Sequence, residues 1–210
     1  MAVIFDMDGV IADTQRIHAR LEAEVLATYD LIIHPDEISR RFAGMSGKDM
    51  FATVFGEAGR ASPYTPEISD LIAQRFCECA DEIVGIEGTI ERIKALYGMT
   101  RLAVASASRP TVIDLVLGTV GVKRYFSATA SSREVAKGKP APDVFLLAAG
   151  RLNVEPKNCV VIEDGISGML GARAAGMRCV ALASDGRTNF PADLVVKDLR
   201  EVPIEWLLGT

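Results

Sequence analysis

The sequence predicts an α/β fold, a doubly wound parallel sheet with an all-helical segment inserted after the first strand. Three observations predict it. Short, β-branched apolar runs alternate with helical patterns over most of the chain, the texture of strands joined by crossover helices. A stretch from about residue 15 to 80 breaks that alternation, with helical periodicity and no convincing strand. The 210 residues, 49% hydrophobic, are enough for one large core carrying a smaller insert.

In chain order, Ala2–Phe5 reads as a strand buried on both faces, because four apolar residues run without interruption. The insert follows, with helical patterns at Ile17–Tyr29, Pro35–Phe42, Lys48–Phe55 and Pro66–Ala80. Pro35, Pro63 and Pro66 fall at or near helix starts, where a missing N–H costs least. Gly85 and Gly88 mark the return to the core. Strands are then expected at Leu102–Ser106, Tyr125–Ala130, Cys159–Ile162, Cys179–Leu182 and Leu194–Val196. Helices are expected at Thr111–Leu117, Asp143–Arg151 and Gly168–Ala175. This division puts residues 1–14 and 82–210 in a Rossmann-like core and residues 15–81 in the helical insert.

Charge and composition narrow the function classes. Twenty-three Lys+Arg against 28 Asp+Glu give a formal net charge of −5. With no basic block or aromatic-spaced basic stripe, a nucleic-acid partner is not expected. No apolar run approaches the roughly 20 residues of a membrane span, and the N-terminus lacks the cationic lead of a signal peptide. The scattered cysteines, Cys77, Cys79, Cys159 and Cys179, and two histidines, His18 and His34, make a poor structural zinc site. A cytoplasmic protein with reduced cysteines is the expectation.

The chemistry concentrates at strand ends. In MAVIFDMDG the apolar strand runs into Asp6 and Asp8. Residues i and i+2 of a strand share a side, so the two carboxylates converge and repel. A divalent cation with a preference for hard oxygen ligands, such as Mg²⁺, turns that repulsion into binding. The pair also resembles the opening of an EF-hand loop. That reading fails, because Val10, Ile11 and Ile17 stand where a third acid, a turn glycine and a closing Glu belong. A second acidic pair, Glu163 and Asp164, follows the strand Cys159–Ile162 and opens a helix near Ser167. Ser106 ends another strand in LAVASASRP, where its hydroxyl and the following backbone N–H groups suit a phosphate oxygen. Lys139 lies in the proline-stiffened loop GKPAPD, a cation matched to nearby carboxylates and a phosphate.

These stretches resemble the haloacid dehalogenase (HAD) superfamily, in the branch with a helical cap inserted after the first motif. DMDG at Asp6–Gly9, ASASR at Ala105–Arg109, GKPAPD at Gly138–Asp143 and IEDG at Ile162–Gly165 occur in the family's order across the whole chain. Within the branch the chain is similar to β-phosphoglucomutase and the sugar-phosphate phosphatases. The resemblance implies Asp6 as nucleophile, Asp8 as general acid and base, and Ser106 and Lys139 holding the phosphoryl oxygens. It implies Mg²⁺ held by Asp6, the Asp8 carbonyl, Asp164 and Glu163, the last directly or through water. Ser106, Ala107, Arg109, His18 and Lys48 would contact substrate. Thr14 and Asp143 would support, Asp143 by ordering its own loop.

The expected activity is a Mg²⁺-dependent phosphatase acting on a small phosphate ester, a sugar or sugar-acid phosphate, as a monomer or small homo-oligomer. Cap residues near His18, residues 42–48 and Arg75 would close over the site. The alternative is a β-phosphoglucomutase-like mutase. It wants a cap cation for a second phosphate, and Gly47 stands where the mutases' GVSR stretch carries its Arg. Asp8 itself argues against dehalogenases and phosphonate hydrolases, which resemble this chain but lack an acid there.

Overall fold

The structure, a computed structural model, describes residues 1–42, 45–183 and 188–210. The core is a parallel sheet of six strands: β1 (Ala2–Phe5), β4 (Arg101–Ser106), β5 (Ala128–Ser131), β6 (Cys159–Glu163), β7 (Arg178–Leu182) and β8 (Leu194–Val196). Their order is β5-β4-β1-β6-β7-β8, so the first strand lies at the centre. Ala2, Val3, Ile4 and Phe5 are all fully buried, which is why the strand reads as an unbroken apolar run.

Successive side chains of β1 feed two cores. Val3 and Phe5 join one apolar cluster and Ala2 and Ile4 another, as strand alternation requires. On the Ala2/Ile4 side lie α7 (Asp143–Leu152) and α8 (Ile166–Ala174). On the Val3/Phe5 side lie α5 (Glu87–Leu96), α6 (Pro110–Thr119) and α9 (Ile204–Leu208).

Between β1 and α5 the chain runs through α1 (Gln15–Ala27), α2 (Pro35–Phe42), α3 (Gly47–Glu57) and α4 (Pro66–Glu78). Ser46 and Thr65 cap α3 and α4 by accepting from the N–H groups of Asp49 and Ile68. Phe51, Phe55 and Phe76 are buried, so the insert has an apolar core that continues into that of the sheet.

Three differences from expectation have physical causes. A two-stranded antiparallel pair, β2 (Ala12–Asp13) with β3 (Val84–Gly85), clips together the points where the chain leaves and re-enters the sheet. Two-residue strands carry too little pattern to be read in advance. Helix α5 begins where two glycines suggest a linker; Gly88 is needed because a Cβ there would strike the Asp198 carboxylate. The expected strand Tyr125–Ala130 is shorter: Lys123–Tyr125 forms a 3-10 turn, and pairing begins at Ala128.

Candidate active site

Four neighbouring strands end on the same edge of the sheet, and beyond it lies a cavity of about 670 Å³ between sheet and insert. Ligands of doubly wound sheets bind beyond the carboxyl ends of the strands. Asp6 continues the ladder one step past β1, its N–H donating to the Ile162 carbonyl at 2.9 Å. The chain then turns tightly over residues 7–12, with Gly9 at φ +80°, and a Cβ at Gly9 would strike Asp164 and Gln15. The close approach of Asp164 to the first turn depends on that glycine.

At the floor, Lys139 Nζ donates to Asp6 Oδ1 at 2.5 Å and Glu163 Oε1 at 2.6 Å. Glu163 Oε2 accepts from the Gly165 N–H at 2.9 Å, which pins the carboxylate beneath α8. Gly168, on the first turn of that helix, leaves the space this carboxylate fills. Asp164 accepts from Gln15 Nε2 at 2.5 Å. Asp6 Oδ2 accepts no hydrogen bond from any described residue.

Asp8 sits in a different set of contacts. Its carboxylate accepts from Thr14 at 2.6 Å, Ser108 at 3.1 Å and Ser106 at 3.3 Å. His18 Nε2 lies 3.3 Å from it, with the imidazole stacked on Phe76 at a centroid distance of 4.5 Å.

The electrostatics follow from burial and these partners. Burial lifts the Asp6 carboxyl well above its ordinary range; Lys139 opposes the lift, and Glu163, Asp164 and Asp8 add to it. Asp164 is raised for the same leading reason, with Glu163 adding. Burial also works against charge on Asp8, but hydrogen bonds from His18, Thr14 and Ser108 outweigh it and hold the carboxyl at about 2. His18 is raised, its desolvation overcome by Asp8 and Glu22. Burial opposes charge on Lys139 too, and its two carboxylate partners raise it above the ordinary lysine value.

A surplus of negative charge therefore collects beside one lysine. Asp6, Glu163 and Asp164 each offer an oxygen, all within 4.8 Å of one another, and hard oxygens of this kind fit Mg²⁺ or Ca²⁺. The trio supplies three of the oxygens such an ion takes.

The raised carboxyls make a prediction about pH. Glu22 is raised from 4.5 to about 7, chiefly by burial. Between those values the folded chain holds protons that the unfolded chain releases, so stability falls as pH rises through the window. Asp6 and Asp164, raised in the same direction, and His18, whose favourable protonation is lost as pH rises, act alike. Without divalent metal, the melting temperature is expected to fall between about pH 5 and pH 8. Mg²⁺ should raise it most at the alkaline end. A metal-free melting temperature that rises over that range would contradict the charge balance described here.

The haloacid dehalogenase-like hydrolase family matches residues 1–176. The chain belongs to that family. It is therefore a hydrolase. The HAD chain is 30% identical over 180 residues to the fructose-1-phosphate phosphatase YqaB of Escherichia coli K12, covering 85% of this chain and 94% of that protein. It is 30% identical over 216 residues to the β-phosphoglucomutase of Bacillus subtilis 168, covering 98% and 93%. Its fold is similar to that of CbbY from Rhodobacter sphaeroides, solved in complex with phosphate, with a TM-score of 0.81 at 26% identity and 95% of each chain covered. No described helix of this HAD chain is long and apolar enough to cross a membrane.

The structure brings Asp6, Asp8, Lys139, Glu163 and Asp164 to one cavity wall, with Ala107, Arg109, His18 and Lys48 also lining it. Ser106 is fully buried and lies beneath the lining, where it bonds Asp8 and accepts from the Ser108 N–H. Arg109 leans onto α4, pairing with Asp70 and donating to Ser69 at 3.3 Å. Two expectations need correction. Arg75 does not line the cavity; it pairs with Glu24 at 3.0 Å in an exposed bridge, because its position on α4 faces outward. Asp143 forms no side-chain hydrogen bond with a described residue; it opens α7, where a negative charge suits the helix N-terminus. Of the cap stretch 42–48, residues 43 and 44 lie outside the described residues.

Several residues of the site carry no motif. Gln15 reaches Asp164 across 149 residues of sequence, and Ser69 gathers Arg109 and Arg133. Ser108 is different, since it stands inside the ASASR stretch, two residues beyond Ser106, and bonds Asp8.

Proposed function

We propose that this chain is a Mg²⁺-dependent phosphatase of a small sugar or sugar-acid phosphate, working through an aspartyl-phosphate. It is an enzyme of the phosphoric monoester hydrolase class. One observation carries the reading: carboxylate oxygens of buried Asp6 and Glu163 and half-buried Asp164, from two strand ends, converge beside Lys139, while Asp6 keeps an oxygen free.

Asp6, the Asp8 carbonyl and Asp164, with Glu163 directly or through water, would hold Mg²⁺. When bound, the ion supplies charge neutralisation for the phosphoryl oxygens. The free oxygen of Asp6 attacks phosphorus in line with the ester oxygen, the P–O(alkyl) bond breaks, and the aspartyl-phosphate forms. Lys139 and the backbone N–H of Ala107 hold the phosphoryl oxygens, with Ser106 anchoring that turn by accepting from the Ser108 N–H. The departing alkoxide takes a proton that Asp8 has drawn from His18, 3.3 Å away, which leaves Asp8 ionised and His18 neutral. Ionised Asp8 then removes a proton from water as it attacks phosphorus, returning Asp6 and releasing inorganic phosphate. Residues 15–81 act as the cap that excludes bulk water. The similarity to fructose-1-phosphate phosphatase supports a sugar phosphate as substrate. The four free cysteines suit a cytoplasmic setting, as a monomer or small homo-oligomer.

The similarity to β-phosphoglucomutase favours a second reading, a phosphosugar mutase. A phosphomonoester panel with Mg²⁺ separates the two. Release of inorganic phosphate from sugar phosphates is expected. Interconversion of β-glucose 1-phosphate and glucose 6-phosphate with a bisphosphate activator would favour the mutase, and no turnover above an Asp6→Asn control would reject both.

A further inference from the structure

The mechanism leaves one half-buried acid of the cavity unused. Glu22 lies on α1 one turn beyond His18, so Asp8, His18 and Glu22 follow one another away from the nucleophile. Glu22 forms no hydrogen bond or ion pair with any described residue, its one electrostatic neighbour being His18. The Tyr64 hydroxyl, which also lines the cavity, has no hydrogen-bond partner among the described residues either. The two meet at Gly47: a Cβ built there would lie 3.4 Å from Glu22 Oε1 and 3.2 Å from Tyr64 Oη.

The cations nearby leave this corner alone. Lys48, next to Gly47, is exposed and makes no ion pair with Glu22. On the opposite wall Arg109 is taken by Asp70, and Arg133 donates to Ser69 at 2.7 Å. The far end of the cavity therefore presents a carboxyl and a phenol with free hydrogen-bonding capacity and no paired cation. A second phosphate placed there would meet an acid in a partly desolvated pocket. Substrate hydroxyls would meet an acceptor in Glu22 and a donor and acceptor in Tyr64. Burial holds the Glu22 carboxyl at about 7, so near neutrality it also donates from its protonated form.

We propose that Glu22, with Tyr64, is the specificity determinant of this cavity, recognising the hydroxyls of an uncharged sugar or polyol tail on a monophosphate and excluding a second phosphate. The inference rests on the phosphatase reading and adds the substrate class.

The test compares kcat/KM for fructose 1-phosphate, fructose 1,6-bisphosphate and phenyl phosphate, a probe without hydroxyls on its tail. The wild type should prefer the monophosphate sugar. Glu22→Ala should lower the ratio of fructose 1-phosphate to phenyl phosphate by about tenfold or more, mainly through KM. Glu22→Gln keeps donor and acceptor and should stay within about threefold of the wild-type ratio. Glu22→Lys should shift preference toward the bisphosphate. Three results overturn the assignment: an unmoved ratio in E22A with native melting, E22Q behaving like E22A (action through the charge of His18), or a wild type that prefers the bisphosphate. Absence of turnover on every ester, phenyl phosphate included, overturns the phosphatase reading and this one with it.

Discussion

Asp6→Asn is expected to lower phosphomonoester turnover by roughly 10⁴-fold or more, since removing a nucleophile leaves only binding and electrostatic assistance. The fold should survive. Burial makes ionisation of Asp6 costly, and its three acidic neighbours add to that cost, so a neutral isostere relieves repulsion. The metal-free melting temperature of the variant should match or exceed that of the wild type. Mg²⁺ should bind more weakly, because one of the three converging oxygens loses its charge. Rapid-quench assays with a ³²P-labelled ester should trap a phosphoenzyme in the wild type and none in the variant. A variant that turns over esters at the wild-type rate would remove Asp6 from the chemistry altogether.

Lys139→Met should damage both stability and activity. The Lys139 side chain is only 8% exposed and bridges Asp6 and Glu163, whose side chains are 9% and 3% exposed. Removing one member of a buried ionic set leaves charge uncompensated, a loss of about 3–5 kcal/mol. For a chain of this size that lowers the melting temperature on the order of 10 °C. Proton uptake by the carboxylates limits the loss at acid pH, so the deficit should widen as pH rises. Mg²⁺ should recover part of it by supplying the missing positive charge. Turnover should fall about 10²–10³-fold even in saturating Mg²⁺, the usual effect of deleting one donor to a developing anion. Calorimetry with and without Mg²⁺ checks the first part, and a variant as stable as the wild type in metal-free buffer would refute it.

The strand-end motifs were legible because their chemistry is local. A buried strand must be apolar throughout, so carboxylates at its end stand out, as Asp6 and Asp8 do after Ala2–Phe5 and Glu163 and Asp164 do after Val160–Ile162. The helices of the insert were legible for the same kind of reason: prolines at their starts and apolar periodicity are properties of short windows. Helix α5 was obscured by Gly85 and Gly88, which read as a linker. One of them is instead demanded by Asp198, 110 residues further along, and no local window contains that contact.

The placement of the cap was harder still. Arg75 and Lys48 are both cations of the insert, yet one faces solvent with Glu24 and the other lines the cavity. Glu22, Tyr64 and Gly47 lie far apart in sequence and meet only when α1 and α3 pack.

The order of residues alone was enough for the parallel sheet, the inserted helices and the acidic and basic groups of its edge, because backbone alternation and burial act over a few neighbours. Folding in three dimensions settled which carboxylate Lys139 and Gln15 each engage, that Asp8 is held by four donors apart from the trio of Asp6, Glu163 and Asp164, and which side chains of the insert line the cavity with Asp6. Those outcomes depend on distances between elements, and such distances are set by how whole helices pack on the sheet.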